Sequence, residues 1–171
     1  TVTRLRLIRI TASHEAWNRA FNRIPGSVPV AQVSGNDLPV APVEVDERQV
    51  LTFPGGLFGF EQHHEFALLD AAQTPFYWLQ SIADRQVAFV LLDPLVFRPD
   101  YTLDVDPAEL AEIGIADGDD ALCFAIVTIP ENVSDMTANL QGPLVVNRDT
   151  RVARQLISHN PAWQVRHGVF E

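Results

Sequence analysis

Cysteine and long apolar runs are scarce in this 171-residue chain. Their scarcity argues against a protein held together by disulfides and against one that crosses a membrane with apolar helices. Cys123, the single cysteine, cannot form a disulfide within the chain, and its apolar neighbours predict a buried, inert thiol. No run of about 18 apolar residues is present that could cross a bilayer as a helix. The segment TVTRLRLIRI is interrupted by arginines and lacks the apolar region of a secretory signal. We therefore expect a cytoplasmic protein that does not bind membranes.

Enzyme and metal-site motifs are also missing. The chain has no Gly-x-Ser-x-Gly, no phosphate-binding loop, no Cys-x-x-Cys and no His-Glu-x-x-His. His63 and His64 are adjacent, so in a strand they point to opposite faces and cannot share one metal. The acidic turn ADGDD, residues 116–120, lacks the glycine and the distal glutamate of an EF-hand loop. These absences argue against enzymatic activity without deciding the question, and we predict no catalytic residue, no metal site and no cofactor.

Lysine is absent altogether, and acids outnumber arginines by 22 to 12, which gives a formal net charge of -10. Residues 1–45 carry five arginines against three acids, whereas residues 46–171 carry seven arginines against nineteen acids. An acidic body repels phosphate backbones, so direct nucleic-acid binding is not expected, and a basic protein partner is favoured. Solubility alone is the alternative explanation of this charge.

Two regions differ in pattern. Residues 1–43 are predicted to be an N-terminal extension and linker, with a short strand in RLRLIRI, a helix over residues 13–24 and a proline-rich stretch. Residues 44–171 alternate short apolar segments with turns, which predicts a mainly β, small antiparallel barrel-like domain or a sandwich. The apolar segment 121–129 is the expected central strand, and residues 101–106 alternate between buried and exposed positions. A short helix is expected from Pro107 to Ile113, with Asp106 as its N-cap and Gly114 as its C-terminal stop.

The stretch TFPGGLFGFE, residues 52–61, places glycines among aromatic residues. Its Pro and Gly positions predict a type II turn with positive φ at Gly55, and Gly59 is expected to allow close packing. The structural motif residues are predicted to be Phe53, Pro54, Gly55, Gly59, Phe60, Trp78, Asp93 and Pro94. We also assign Phe89 and Leu140 to the core, together with Phe53, Phe60 and Trp78.

Two surface segments are candidates for binding. Residues 100–120 contain eight acids and no arginine, which predicts a negative surface that suits a basic partner. The segment TANLQGPLVVN, residues 137–147, carries polar side chains and Pro143, which suits an edge strand or a bulge. A free edge could pair with an incoming peptide strand. The alternative is that Asn139 and Asn147 only complete turns.

The motifs LTFPGGLFGFE, PFYWLQSI, AFVLLDP, RPDYTLDV, TANLQGPLVVN and VRH, in this order, resemble the FliW flagellar assembly factor family. The resemblance covers residues 45–167 and implies a β-barrel-like protein without catalytic activity. It further implies cytoplasmic binding of flagellin and of CsrA, the RNA-binding repressor of flagellin translation, with the two partners exchanged. We expect the protein to be a monomer.

From charge, we predict that the CsrA-binding residues are Asp100, Asp104, Asp106, Glu109 and Glu112. From motif position, we predict that the flagellin-binding residues are Thr137, Asn139, Gln141 and Asn147. Two other functions stay open at this point. One is a small-ligand-binding barrel, and the other is a hydrolase or lyase that uses carboxylates near Asp93 and Asp100.

Overall fold

The computed structural model describes residues 6–7, 49–71, 75–84, 86–117 and 119–170. The helix predicted over residues 13–24 and most of the predicted extension lie outside these residues. The strands are β1 Arg6–Leu7, β2 Val50–Thr52, β3 Glu65–Asp70, β4 Phe76–Ser81, β5 Ala88–Leu92, β6 Asp120–Thr128, β7 Thr137–Ala138, β8 Leu144–Asn147, β9 Ala153–Gln155 and β10 His167–Gly168. The helices are α1 Pro94–Phe97 and α2 Pro107–Glu112, and a 3-10 turn covers Val133–Asp135.

Strand β6 is the centre of the sheet, as its apolar sequence predicts. Strands β2, β3, β4, β5 and β6 follow one another as an antiparallel meander. The second half of β6 also pairs with β7, and its first half pairs with β8, which in turn pairs with β9. Strand β1 lies parallel to the start of β6, beside Asp120 and Ala121. Strand β6 therefore holds both halves of the sheet together.

The sheet curls until its ends meet at a single point. Thr52, at the end of β2, forms an isolated bridge with Val152, next to β9, and the Thr52 N–H donates to the Arg151 carbonyl at 3.0 Å. One bridge is not a continuous ladder, so the sheet is barrel-like without being closed. The predicted mainly β, antiparallel, barrel-like fold with short helices is confirmed.

Both faces of the sheet are covered by apolar side chains. Phe66, Leu79 and Phe124 are buried on the inner face of the curled sheet, together with neighbours from β2, β5, β8 and β9. This filled interior favours a packed core over a ligand cavity. The outer face carries Trp78 and Cys123, which pack against residues 101–115 and against the C-terminal segment. Cys123 is buried, as predicted, and this burial raises the pKa of its thiol.

Residues 101–106 alternate as predicted, although they do not form a strand. Tyr101, Leu103 and Val105 are buried, whereas Thr102, Asp104 and Asp106 are exposed. The extended segment lies over the outer face of the sheet, and side-chain packing holds it there. The Tyr101 hydroxyl, for example, donates to the Leu140 carbonyl at 3.2 Å.

Candidate functional site

Helix α2 carries part of the predicted acidic cluster. The Asp106 carboxylate accepts a hydrogen bond from the Ala108 N–H at 2.9 Å, and Pro107 occupies the first helical position. Gly114, with φ +75°, ends the turn after the helix, as the sequence predicts. Asp104 and Asp106 are exposed at its N-terminal side, and Glu109 and Glu112 lie one turn apart along it. With Asp100, these four acids form what we call the acidic face.

Two arginines pair with acids of the acidic face. Arg98 lies two positions before Asp100 in the sequence, whereas Arg154 lies 45 positions after Glu109 and reaches it only in the fold. Arg154, from β9, forms ion pairs with Glu109 at 3.3 Å and with Glu112. Arg98 binds Asp100 with two parallel hydrogen bonds of 2.9 and 2.8 Å, and this contact lowers the pKa of Asp100. Five acids and two arginines leave a formal charge of -3 on the acidic face, so it stays negative but is weaker than the sequence suggests.

Arg98 also anchors the C-terminal strand. Its Nη1 lies 2.7 Å from His167 Nε2, and its guanidinium lies 5.2 Å from the centre of the Trp163 ring. Because arginine only donates, His167 Nε2 accepts this bond, which places the imidazole proton on the buried Nδ1. The connection holds β10 beside the acidic face.

The free edge expected in residues 137–147 is a wrong prediction. Strand β7 pairs with β6 on one side and with β10 on the other, through Ala138 and His167. Strand β8 likewise lies between β6 and β9. The alternative interpretation, that Asn139 and Asn147 complete turns, is the one that the structure has. An incoming strand therefore finds no open edge at β7 or β8.

The polar residues of this segment make internal contacts. The Asn139 side chain accepts from the Gly142 N–H at 2.8 Å. The Asn147 amide donates to the Ile113 and Gly114 carbonyls after helix α2, and its oxygen accepts from two N–H groups of the next turn. Gln141 is exposed and Thr137 is half-buried. Contact of these four residues with flagellin stays a prediction.

Residues 53–64 form two successive turns. The type II geometry predicted for the first turn, residues 53–56, occurs in the second turn, residues 57–60. The Gly56 N–H donates to the Phe53 carbonyl at 2.9 Å, so the first turn exists, but positive φ occurs at Gly56 and not at Gly55. The second turn, residues 57–60, has φ +83° at Gly59 in its third position, as a type II turn requires. The prediction of positive φ at Gly55 is wrong.

This second turn, which we call the aromatic turn, exposes two phenylalanines. Phe58 at its tip is 56% exposed, and Phe60 is 37% exposed and packs edge-on against Phe89 with ring centres 5.0 Å apart. The assignment of Phe60 to the core is therefore wrong, whereas Phe53, Trp78 and Leu140 are buried as predicted. Phe89 is half-buried against the interior cluster. No Cβ contact lies within 4 Å of Gly59, so this glycine serves its φ and not close packing.

The carboxylates considered for catalysis have structural partners. Asp93 is only 4% exposed and caps helix α1 by accepting from the Leu95 N–H at 2.9 Å, with Pro94 in the first helical position. Asp100 is exposed and binds Arg98. Across the described ranges, no group of three or more His, Cys, Asp or Glu side chains is arranged to hold a metal ion. Within the described residues, helices α1 and α2 are both too short to cross a bilayer.

Comparisons with known proteins agree on one family. Residues 36–169 match the family model described as FliW protein. The flagellar assembly factor FliW of Treponema denticola is 42% identical over 128 residues, which is 75% of this chain and 87% of the relative. Its counterpart in Treponema pallidum is 46% identical over 125 residues, which is 73% of this chain and 83% of the relative.

A solved structure extends this agreement to the fold. A crystal structure of the flagellar assembly factor FliW superposes with a TM-score of 0.70 at 34% identity, covering 75% of this chain and 90% of that chain. The order of strands and the short helices described above are therefore those of a known architecture. On the family match and on these relatives, the chain belongs to the FliW family of flagellar assembly factors.

Proposed function

We propose that this protein acts in flagellar assembly by binding flagellin and the translational regulator CsrA in turn. The observation that carries the proposal is the family match over residues 36–169. Flagellin in the cytoplasm occupies the protein, and CsrA stays free to repress flagellin translation. When flagellin is exported, the vacated protein sequesters CsrA and translation resumes.

The acidic face supports the CsrA half of this proposal. A protein that binds RNA exposes cations, and a negative surface attracts such a protein while repelling its RNA. Asp104 and Asp106 are exposed beside the N-terminus of helix α2, and Glu112 is exposed one turn after Glu109. In this proposal, CsrA recognises the acidic face through its residual formal charge of -3.

Changing the charge of the acidic face in both directions tests the proposal. The variant Asp104→Asn, Asp106→Asn, Glu109→Gln and Glu112→Gln removes four negative charges, and asparagine at position 106 keeps the helix cap. We expect slower association with CsrA and a weaker dependence on salt, because steering by opposite charges is lost. Stopped-flow association rates at two salt concentrations measure both effects.

The matched control is Arg154→Gln, which makes the same face more negative. Arg154 pairs with Glu109 and Glu112 at the surface, so its loss costs about 0–1 kcal/mol of stability. We expect faster association with CsrA and a steeper salt dependence. Unchanged rates in both variants would remove the acidic face from the CsrA interface.

A further inference from the structure

The aromatic turn places apolar surface where turns usually carry polar residues. Phe58 occupies the tip of the tight turn 57–60 and is more than half exposed, and Phe60 closes the same turn with its ring partly in solvent. Exposing aromatic side chains to water forgoes about 25 cal/mol for each Å² that burial would remove from water. Aromatic residues are also the side chains most enriched at the centres of protein interfaces.

Hydrogen bonds fix the backbone of the aromatic turn. The Phe60 N–H donates to the Leu57 carbonyl at 2.8 Å, and the Phe58 N–H donates to the buried Gln155 side chain at 3.0 Å. At Gly56 an added Cβ would lie 2.6 Å from the Glu61 Cα, so the chain packs here as closely as it can. A surface that is ordered before binding loses little conformational entropy on binding.

Charge around the aromatic turn indicates the chemistry of its partner. Glu61 and Glu65 follow the turn directly and are both exposed, and the Glu61 carboxylate accepts from the Gly59 N–H at 3.0 Å. That hydrogen bond lowers the pKa of Glu61 and keeps it ionised. An apolar centre with an acidic rim complements an apolar segment that is flanked by basic residues.

We propose that the aromatic turn is a docking surface, separate from the acidic face, for an apolar protein segment flanked by arginine or lysine. We name flagellin as the protein that supplies this segment, and that choice rests on the proposed function. A filament subunit before assembly exposes apolar surface that the filament later buries, and the aromatic turn can cover such surface. CsrA, whose recognition depends on charge, uses the acidic face instead.

The test compares two exposed phenylalanines. Phe58→Ser removes the tip of the aromatic turn, and Phe170→Ser is the matched control, because Phe170 is 63% exposed near the end of the chain. We expect Phe58→Ser to weaken binding of monomeric flagellin by about tenfold or more, as the loss of an aromatic anchor does. Phe170→Ser and the binding of CsrA to both variants should stay within about twofold of the unmodified protein.

A second probe keeps the inference testable without flagellin. A synthetic amphipathic peptide of leucine and lysine is titrated against the unmodified protein and the two variants, beside a serine and lysine peptide of equal charge. We expect the leucine peptide alone to lose affinity in Phe58→Ser. Equal binding of flagellin, or of the leucine peptide, by Phe58→Ser and the unmodified protein would overturn the inference. Phe58-dependent peptide binding without any flagellin binding would overturn the proposed function and retain the docking surface.

Discussion

Two adjacent glycines have opposite roles at the residue scale. At Gly56, φ is +66° and an added Cβ would lie within 2.8 Å of three backbone atoms. At Gly55, no positive φ occurs and the space around an added Cβ is open. Sequence alone gives both positions the same letter, so only the geometry of the turn separates them.

We therefore expect Gly56→Ala to destabilise the protein by about 1–3 kcal/mol, because alanine is strained at positive φ and its Cβ meets backbone that cannot move aside. Gly55→Ala is the matched control and should leave the free energy of unfolding unchanged or raise it by up to about 1 kcal/mol. Urea denaturation of the two variants measures the difference. Equal stability of both would contradict the assignment of the turn.

Residue-level prediction from sequence succeeds where one local rule applies. Asp106 with Pro107 is a helix start that a cap followed by proline predicts. Asp93 with Pro94 carries the same signal, but the helix that it starts is not among the predicted elements. The same kind of rule fails at Phe60, because an aromatic residue beside glycine is as compatible with an exposed turn as with a core. Its exposure depends on how the turn lies against β5, which no local pattern encodes.

At the scale of elements, Gln155 joins two motifs that are far apart in sequence. Its side-chain oxygen accepts from the Phe58 N–H at 3.0 Å, and its nitrogen donates to the Gly142 carbonyl at 3.1 Å. Gln155 is only 7% exposed, so these contacts fix the aromatic turn to the loop before β8. The two stretches TFPGGLFGFE and TANLQGPLVVN thus form one structural unit.

Replacing this amide should loosen the unit. Gln155→Leu leaves the buried Gly142 carbonyl without its donor, and we expect a loss of about 1–3 kcal/mol in the free energy of unfolding. Faster hydrogen exchange should appear at Phe58, whose N–H loses its acceptor. Gln164→Leu, at an exposed position, is the control and should change stability by at most about 0.5 kcal/mol. An unchanged rate of hydrogen exchange at the Phe58 N–H in Gln155→Leu would refute the role of Gln155 in holding the aromatic turn.

The elements themselves are predictable to different degrees. Strands β3, β4, β5 and β6 coincide with apolar segments bounded by turns, so their sequences indicate them directly. Strand β10 has two residues and no apolar pattern, and it reaches β7 from nearly 30 positions along the chain. The sequence does not indicate this partner of β7, so it predicts a free edge where the structure has a paired strand. Pairing over long separations is a property of the fold and not of the segment.

At the scale of the whole molecule, β9 connects the two proposed surfaces. Arg154 pairs with Glu109 and Glu112 on the acidic face, and its neighbour Gln155 contacts the aromatic turn. Adjacent side chains of a strand point to opposite faces, so one short strand contacts both surfaces. This arrangement offers a physical route by which one partner can influence the other.

The distribution of charge also belongs to this scale. The sequence predicts a negative body from its counts of acids and arginines, and that part depends only on composition. The local charge of the acidic face differs because Arg154 lies 45 positions from Glu109 in the chain and is adjacent to it in the fold. Composition therefore predicts the sign of the surface charge, and topology determines where arginines partly neutralise that charge.

The most direct measurement for partner exchange is a competition titration between CsrA and monomeric flagellin on the purified protein. CsrA is titrated into the protein alone and into the protein saturated with flagellin, at low and at moderate salt. We predict salt-sensitive CsrA binding to the free protein and strongly weakened CsrA binding to the flagellin complex. CsrA binding of equal affinity in both states, or no binding of either partner, would contradict it.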